Sequence, residues 1–378
     1  MSLNKPANSA TDGPLSVWRY ASWMINIDVW AGIRLDVLRS AAFIEPGAAR
    51  CQSWESRHMS RVDRRTFLQT TSATAAVLAG VQASQLPGVE TPNANLLPTR
   101  VLGKTGFHAT LLGLGGEHVF SLSNNDAVAE EIVHTALDLG VNYFDTAEQY
   151  YPSEKYLGKA LEGRRAEVYI STKIDSRDPE AAKPLIERSL TLLRTTYLDN
   201  LSIHRVRNAQ DVERLTAKGG LIELLQTLKA EGVVRNIGIT GHYEPEALLA
   251  MIERCELDTL LLPVNAADDQ FQSFRAVRRE AHRRNMGVIA MKVSGRGRLF
   301  KECGFTEMDP LLTYALSQED VHIAIVGIDN VSQLCDNARI VRNFQPMLPS
   351  EQRRLQERVR PHAEIASFYK PGASGWLD

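Results

Sequence analysis

From about residue 100 onward the chain alternates, eight times over, between a short apolar run and an amphipathic segment of helical period. The runs are "HATLLGLG", "VNYFDT", "EVYISTK", "DNLSIH", "RNIGIT", "DTLLLPVN", "VIAMK" and "HIAIVG". In "DAVAEEIVHTALDLG", which follows the first run, Asp126 can cap a helix and Gly140 can stop it. Val128, Ile132, Val133, Ala136 and Leu137 fall on one face of that segment. Strands that are apolar on both faces need cover on both, which is the condition of a parallel sheet beneath helices. Eight strand–helix units in about 240 residues close into a barrel. An open doubly wound sheet is the competing architecture, but no G-x-G-x-x-G stretch opens the first helix. "RVLGKTGF", with Gly103 and Gly106, reads as a small hairpin closing the barrel floor.

The 378 residues exceed the roughly 250 that such a barrel uses, so extensions are expected. A formal net charge of −2, with no basic stripe carrying interleaved aromatics, argues against nucleic acid as a partner. Cys51, Cys255, Cys303 and Cys335 lie far apart with no CxxC pair. A zinc ribbon, an iron–sulfur cluster and a disulfide framework are therefore not expected.

The first hundred residues have a different character. "MSRVDRRTFLQTTSATAAVLAGVQAS" begins at Met59 and carries the pair Arg64–Arg65, then Thr66, Phe67 and Leu68, then a mildly apolar run. Val81 and Ala83 form a small-residue site suited to cleavage after Ala83. This order resembles a twin-arginine export signal over 59–83 and implies the twin-arginine machinery as a partner and a periplasmic destination. Its apolar part is shorter than the ~20 residues a membrane-spanning helix needs, so an integral membrane protein is not expected. On that reading translation starts at Met59, 1–58 is an upstream extension, 84–98 is a linker, 99–345 is the barrel and 346–378 is a C-terminal helix and tail.

Barrels of this kind build their active sites where strands end and helices begin. Asp145 ends the second strand, Lys173 the third and His204 the fourth, and Tyr150 lies on the loop five residues past Asp145. Singly, such residues usually cap, snorkel or pack. Together their chemistry is coherent. A phenol with an ordinary pKa near ~10 gives up its proton more readily beside an ammonium, and a buried carboxylate can hold that ammonium. A neutral imidazole can orient a carbonyl. A metal hydrolase would need further His or acidic ligands on strand ends, and none complete a set with Asp145 and His204.

"DTAEQYYPSEKYLGKAL" (Asp145–Leu161), the strand-end Lys173 and the pair Ile203–His204 resemble the signatures of the aldo/keto reductases, and "RVLGKTGFHATLLGLGG" is similar to that family's opening. The resemblance covers about residues 100–345. It implies a TIM barrel of the aldo/keto reductase type, hydride transfer between a nicotinamide cofactor and an aldehyde, ketone or sugar, Tyr150 as proton donor, Asp145 and Lys173 as its support and His204 as the orienting residue. A non-catalytic cofactor-binding sensor on the same barrel is the alternative. Tyr151 stands where the family usually has glycine.

The same resemblance implies a dinucleotide across the barrel mouth near Gly116, Thr240, Gly241, His242, Asn265, Met291, Lys292, Gly327, Gln333 and Asn337. Gly241 replaces an amide donor, for which His242 is a substitute, and Leu261 falls where glutamine is common. Met291 replaces a stacking aromatic ring, and residues 294–297 form a loop suited to closing over a pyrophosphate. "VGIDNVSQLCDN" resembles the adenosine-phosphate segment but lacks its usual cations, and Asp329 opposes a phosphate dianion. Family habit places NADP ahead of NAD. An exported reductase is expected to carry its cofactor tightly held.

Overall fold

The computed structural model describes residues 96–117, 126–242, 244–271, 274–367 and 369. The expected signal segment and the stretch before it lie outside the described residues. Among the described residues no helix is long and apolar enough to cross a membrane.

A two-stranded antiparallel hairpin pairs β1 (Thr99–Val101) with β2 (His108–Thr110), Arg100 opposite Ala109. Its turn needs glycine at 103, where φ is +52° and an added Cβ would meet the Asn285 carbonyl oxygen at 2.5 Å. Eight parallel strands then close the barrel: β3 (Leu112–Gly115), β4 (Tyr143–Asp145), β5 (Tyr169–Ile174), β6 (Leu198–Ile203), β7 (Val234–Thr240), β8 (Thr259–Pro263), β9 (Gly287–Met291) and β10 (Ile323–Gly327). They run in chain order, and β10 returns to pair with β3, Ala324 opposite Leu112. The run "HATLLGLG" is thus two strands: its first half belongs to the floor hairpin and its second half to the barrel.

Strand alternation sorts the side chains. On β5, Ile170 and Ile174 join the core beneath the helices, while Tyr169 packs in a separate cluster with Leu102, Ala109, Tyr143, Ile289 and Ile323. Phe107 of the hairpin meets the Tyr169 ring at 4.9 Å between centroids and plugs the floor. Ser171 and Lys173 share the parity of Tyr169 and so point into the barrel. The polar layer above the floor is satisfied internally, since Asn200 Nδ2 donates to Ser171 Oγ at 3.0 Å and to Ser202 Oγ at 2.8 Å, and Thr259 Oγ1 donates to Asn200 Oδ1 at 2.8 Å.

The outer helices start where capping chemistry allows. Asp178 accepts from the Glu180 N–H ahead of helix Pro179–Leu192, Asn208 from Asp211 ahead of Ala209–Thr216, and Asn330 from Gln333 ahead of Val331–Arg342. Helix Ala209–Thr216 is an addition to the strand–helix repeat, as are Asp268–Phe271 and Arg298–Cys303. Helix Pro349–Val359 and the turn Ala363–Ala366 pack on the upper loops, where Leu355, Val359 and Ala366 join Ala266, Leu299 and Tyr314. Among the described residues Cys255 and Cys303 are free thiols and Cys335 is disulfide-bonded.

Candidate active site

Parity and register bring the first two polar residues together. On β4, Tyr143 and Asp145 face inward with Phe144 between them, and Asp145 lies opposite Ser171 of β5. Lys173, two residues further along, therefore reaches Asp145: its Nζ donates to Asp145 Oδ1 at 2.5 Å and to the Thr146 carbonyl at 2.6 Å. Lys173 is 2% exposed and Asp145 3%. An ammonium this dry is tolerable only because it is paired. Burial pushes the Asp145 carboxyl up, and the charge and hydrogen bond of Lys173 oppose that push.

A compact turn sets Tyr150. Its N–H donates to the Ala147 carbonyl at 2.9 Å and its own carbonyl accepts from the Ser153 N–H at 2.6 Å, at the start of helix Ser153–Ala160. The Tyr150 hydroxyl stands 3.4 Å from His204 Nε2, with the two rings edge to face. Lys173 Nζ lies over the Tyr150 ring, 4.9 Å from its centre. The four residues are thus brought together, with one difference from the sequence expectation. The ammonium addresses the face of the phenol, and the hydroxyl's neighbour is the imidazole. Burial, then the carboxylates of Glu117 and Asp145, hold the Tyr150 phenol well above its ordinary value, so the expected lowering by lysine does not prevail. His204 is pushed well below its ordinary value by burial and by the cations of Lys173, Arg205, Lys292 and Arg177, and stays neutral. Its backbone is fixed from behind, since Arg177 Nη1 donates to the His204 carbonyl at 3.0 Å and Nη2 to that of Arg205 at 2.7 Å.

Tyr150 and Asp145 line one end of an elongated cleft of about 700 Å³. Leu261, Met291 and Ile325 give it an apolar floor. Lys292 and Arg296 form its middle, and both adopt left-handed backbone with φ of +54°. The end away from β4 is lined by Gly327, Asp329, Gln333, Asp336, Asn337 and Arg339, and Glu307 and Asp309 also line the cleft. Glu117, just beyond β3, spans the mouth: its carboxylate lies 3.4 Å from Lys292 Nζ and 3.4 Å from an Arg296 guanidinium nitrogen. Those cations hold Glu117 below the usual carboxylate range against the effect of burial.

Half of the residues expected at the dinucleotide line this cleft, namely Met291, Lys292, Gly327, Gln333 and Asn337. The others are occupied elsewhere. The Gly116 N–H donates to the Asp145 carbonyl at 2.8 Å. Thr240 Oγ1 accepts from the Arg205 N–H at 2.8 Å, and a Cβ at Gly241 would collide with Leu248 at 2.8 Å. His242, neutral through burial and the nearby Lys292, sits edge-on to Tyr369 at 6.0 Å.

Asn265 is spent inside the protein. Its Nδ2 donates to Asp268 Oδ2 at 2.6 Å, to the Lys292 carbonyl at 2.9 Å and to Tyr369 Oη at 3.0 Å, and its Oδ1 accepts from the Ala267 and Asp268 N–H groups. Tyr369 is in this way tied into the wall of the mouth. Tyr151 is 60% exposed and points away from the cleft toward Arg188. Glu117, Asp336 and Arg339 were not anticipated. The only available signals were an acid directly after the Gly115–Gly116 pair and charges three and six residues beyond Gln333.

The closed parallel barrel with this polar set at its C-terminal face defines a (β/α)8 protein with its candidate site where such barrels place theirs. Residues 111–310 match the description of the Aldo/keto reductase family, and the chain belongs to that family. An uncharacterized oxidoreductase of Bacillus subtilis is 28% identical over 183 residues, 45% of this chain and 56% of that protein. L-galactose dehydrogenase of Arabidopsis thaliana is 34% identical over 157 residues, 38% of this chain and 48% of that protein. The chain thus spans about half the length of these relatives. The holo form of an aldo-keto reductase from Bacillus halodurans shares the fold, with a TM-score of 0.60 and 24% identity over 69% of this chain and 96% of that one.

Proposed function

We propose that the protein interconverts a carbonyl and an alcohol with a nicotinamide dinucleotide, Tyr150 being the proton donor. The observation that carries this is the Tyr150 hydroxyl facing a neutral His204 at 3.4 Å above the buried Lys173–Asp145 pair, at the end of a long cleft. The cleft suits a dinucleotide. Its floor is apolar enough for a flat ring, and Lys292 and Arg296 offer positive charge. Bound there, the nicotinamide would supply or accept the hydride.

The chain's own residues do the rest. An alkoxide produced by reduction is far more basic than any phenol, so a Tyr150 held high in pKa still delivers its proton while remaining protonated at neutral pH. His204, neutral and positioned through Arg177, presents Nε2 to the same oxygen that Tyr150 serves. Lys173 places positive charge over the phenol ring, where it favours the phenolate left after transfer. Substrates are small aldehydes, ketones or sugars. The Tyr150→Phe variant is expected to lose about 10²- to 10⁴-fold in turnover. Its dinucleotide affinity, read by fluorescence titration, should be unchanged, and wild-type turnover in that variant would refute the assignment.

Export through the twin-arginine route to the periplasm is part of the same proposal and rests on the order Arg64–Arg65, Phe67–Leu68, apolar run, Ala83. Sequencing the N-terminus of protein recovered from the periplasm should read from Ser84. Full-length protein confined to the cytoplasm would overturn it.

A further inference from the structure

On the dinucleotide reading just given, we propose that this cleft selects the 2′-hydroxyl form, NAD(H), over the 2′-phosphorylated form, and that Asp336 and Asp329 make the choice. Hydride and proton must reach one carbonyl, so the nicotinamide end has to lie by Tyr150. Residues at the ends of β9 and β10 and in helix Val331–Arg342 line the rest of the cleft, and the remainder of the dinucleotide is placed there. The adenosine ribose then meets the far end described above.

That end is acidic. Asp329 and Asp336 line it, and Glu307 and Asp309 line the same cleft. The one cation lining this end among the described residues is Arg339, and its guanidinium is already 3.2 Å from Asp336 Oδ1. Gln333 is turned to Asp329, its Oε1 accepting from the Asp329 N–H at 2.8 Å and its Nε2 lying 3.4 Å from Asp329 Oδ2. The Asn330 side chain takes the Gln333 N–H at 3.0 Å, which removes a backbone donor that an anion at this helix start would use. A phosphate carrying close to two negative charges would enter a group of carboxylates with its only counter-charge engaged. A ribose hydroxyl, in contrast, donates to a carboxylate, the interaction by which acidic residues favour NAD elsewhere. Family habit puts the phosphorylated cofactor first; the side chains at this end point the other way.

The test is a set of calorimetric titrations of the full chain at fixed ionic strength with NAD⁺ and NADP⁺, and with the fragments 5′-AMP and adenosine 2′,5′-bisphosphate. NAD⁺ should bind at least tenfold more tightly than NADP⁺, and the fragment pair should keep the same order. Gln333→Arg and Asp336→Asn, both at solvent-accessible positions, should each narrow the ratio severalfold. NADP⁺ binding as tightly as NAD⁺, or a ratio that neither substitution moves, would overturn the assignment. Binding of neither dinucleotide would instead remove the proposed function, and this inference with it.

Discussion

Lys173 is inside the barrel because Tyr169 and Ser171 are: three alternate residues of one strand face the axis, and the uppermost carries a charge. Its partner is equally forced, since Asp145 is the inward residue one strand away. Neither ion reaches water, so each depends on the other. Removing only the cation, as Lys173→Met, strands a buried carboxylate and is expected to cost about 3–5 kcal/mol. The urea midpoint should fall accordingly. Adding Asp145→Asn should restore part of that loss, because the orphaned charge is then gone; a double variant no more stable than the single one would contradict this. His204 and Tyr150 depend less on one neighbour, being set by a backbone clamp and a turn respectively.

Helix Ser153–Ala160 shows how an element can be fixed by one missing side chain. A Cβ at Gly158 would lie 2.1 Å from the Leu192 carbonyl oxygen, so the glycine is what lets this helix press against the end of helix Pro179–Leu192. Gly158→Val is expected to destabilise by about 1–3 kcal/mol through overpacking, seen as a lower denaturant midpoint at unchanged slope. The strand–helix repeat, and Asp145, Lys173 and His204 at strand ends with Tyr150 on the following loop, were legible because hydrophobic period and turn chemistry are local. Of the caps only Asp126 was read, and it is the first residue of its helix. What escaped was set by distant partners. "HATLLGLG" reads as one run, yet the chain changes sheet within it, just after Thr110. Asn265 has the look of a ligand on a strand end, but its donors are claimed by Asp268, the Lys292 carbonyl and Tyr369, groups no spacing rule connects. Tyr150 beside His204 was foreseeable from strand order; the ammonium over the ring face, in place of the hydroxyl, was not.

For the whole molecule, histidines kept neutral by burial tie stability to pH. His204 and His242 lie well below their ordinary value, and His322 is pushed down to about 4 by burial and by His282 and Arg100. Below about pH 6.5 the unfolded chain binds protons that the native state refuses. Stability therefore rises with pH across this range and is lost as pH falls from about 6.5 toward 4. The thermal midpoint should drop over that window, and less steeply in His322→Gln; a flat midpoint from pH 7 to 5 would contradict the burial of these rings as neutral species. The mouth has a further property of its own. Tyr369 stands 104 positions beyond the Asn265 it braces, while the last barrel strand ends at Gly327. A nascent chain arrested between those points already possesses all eight staves but lacks one side of the entrance. Assembly of the entrance must wait for synthesis to pass residue 369.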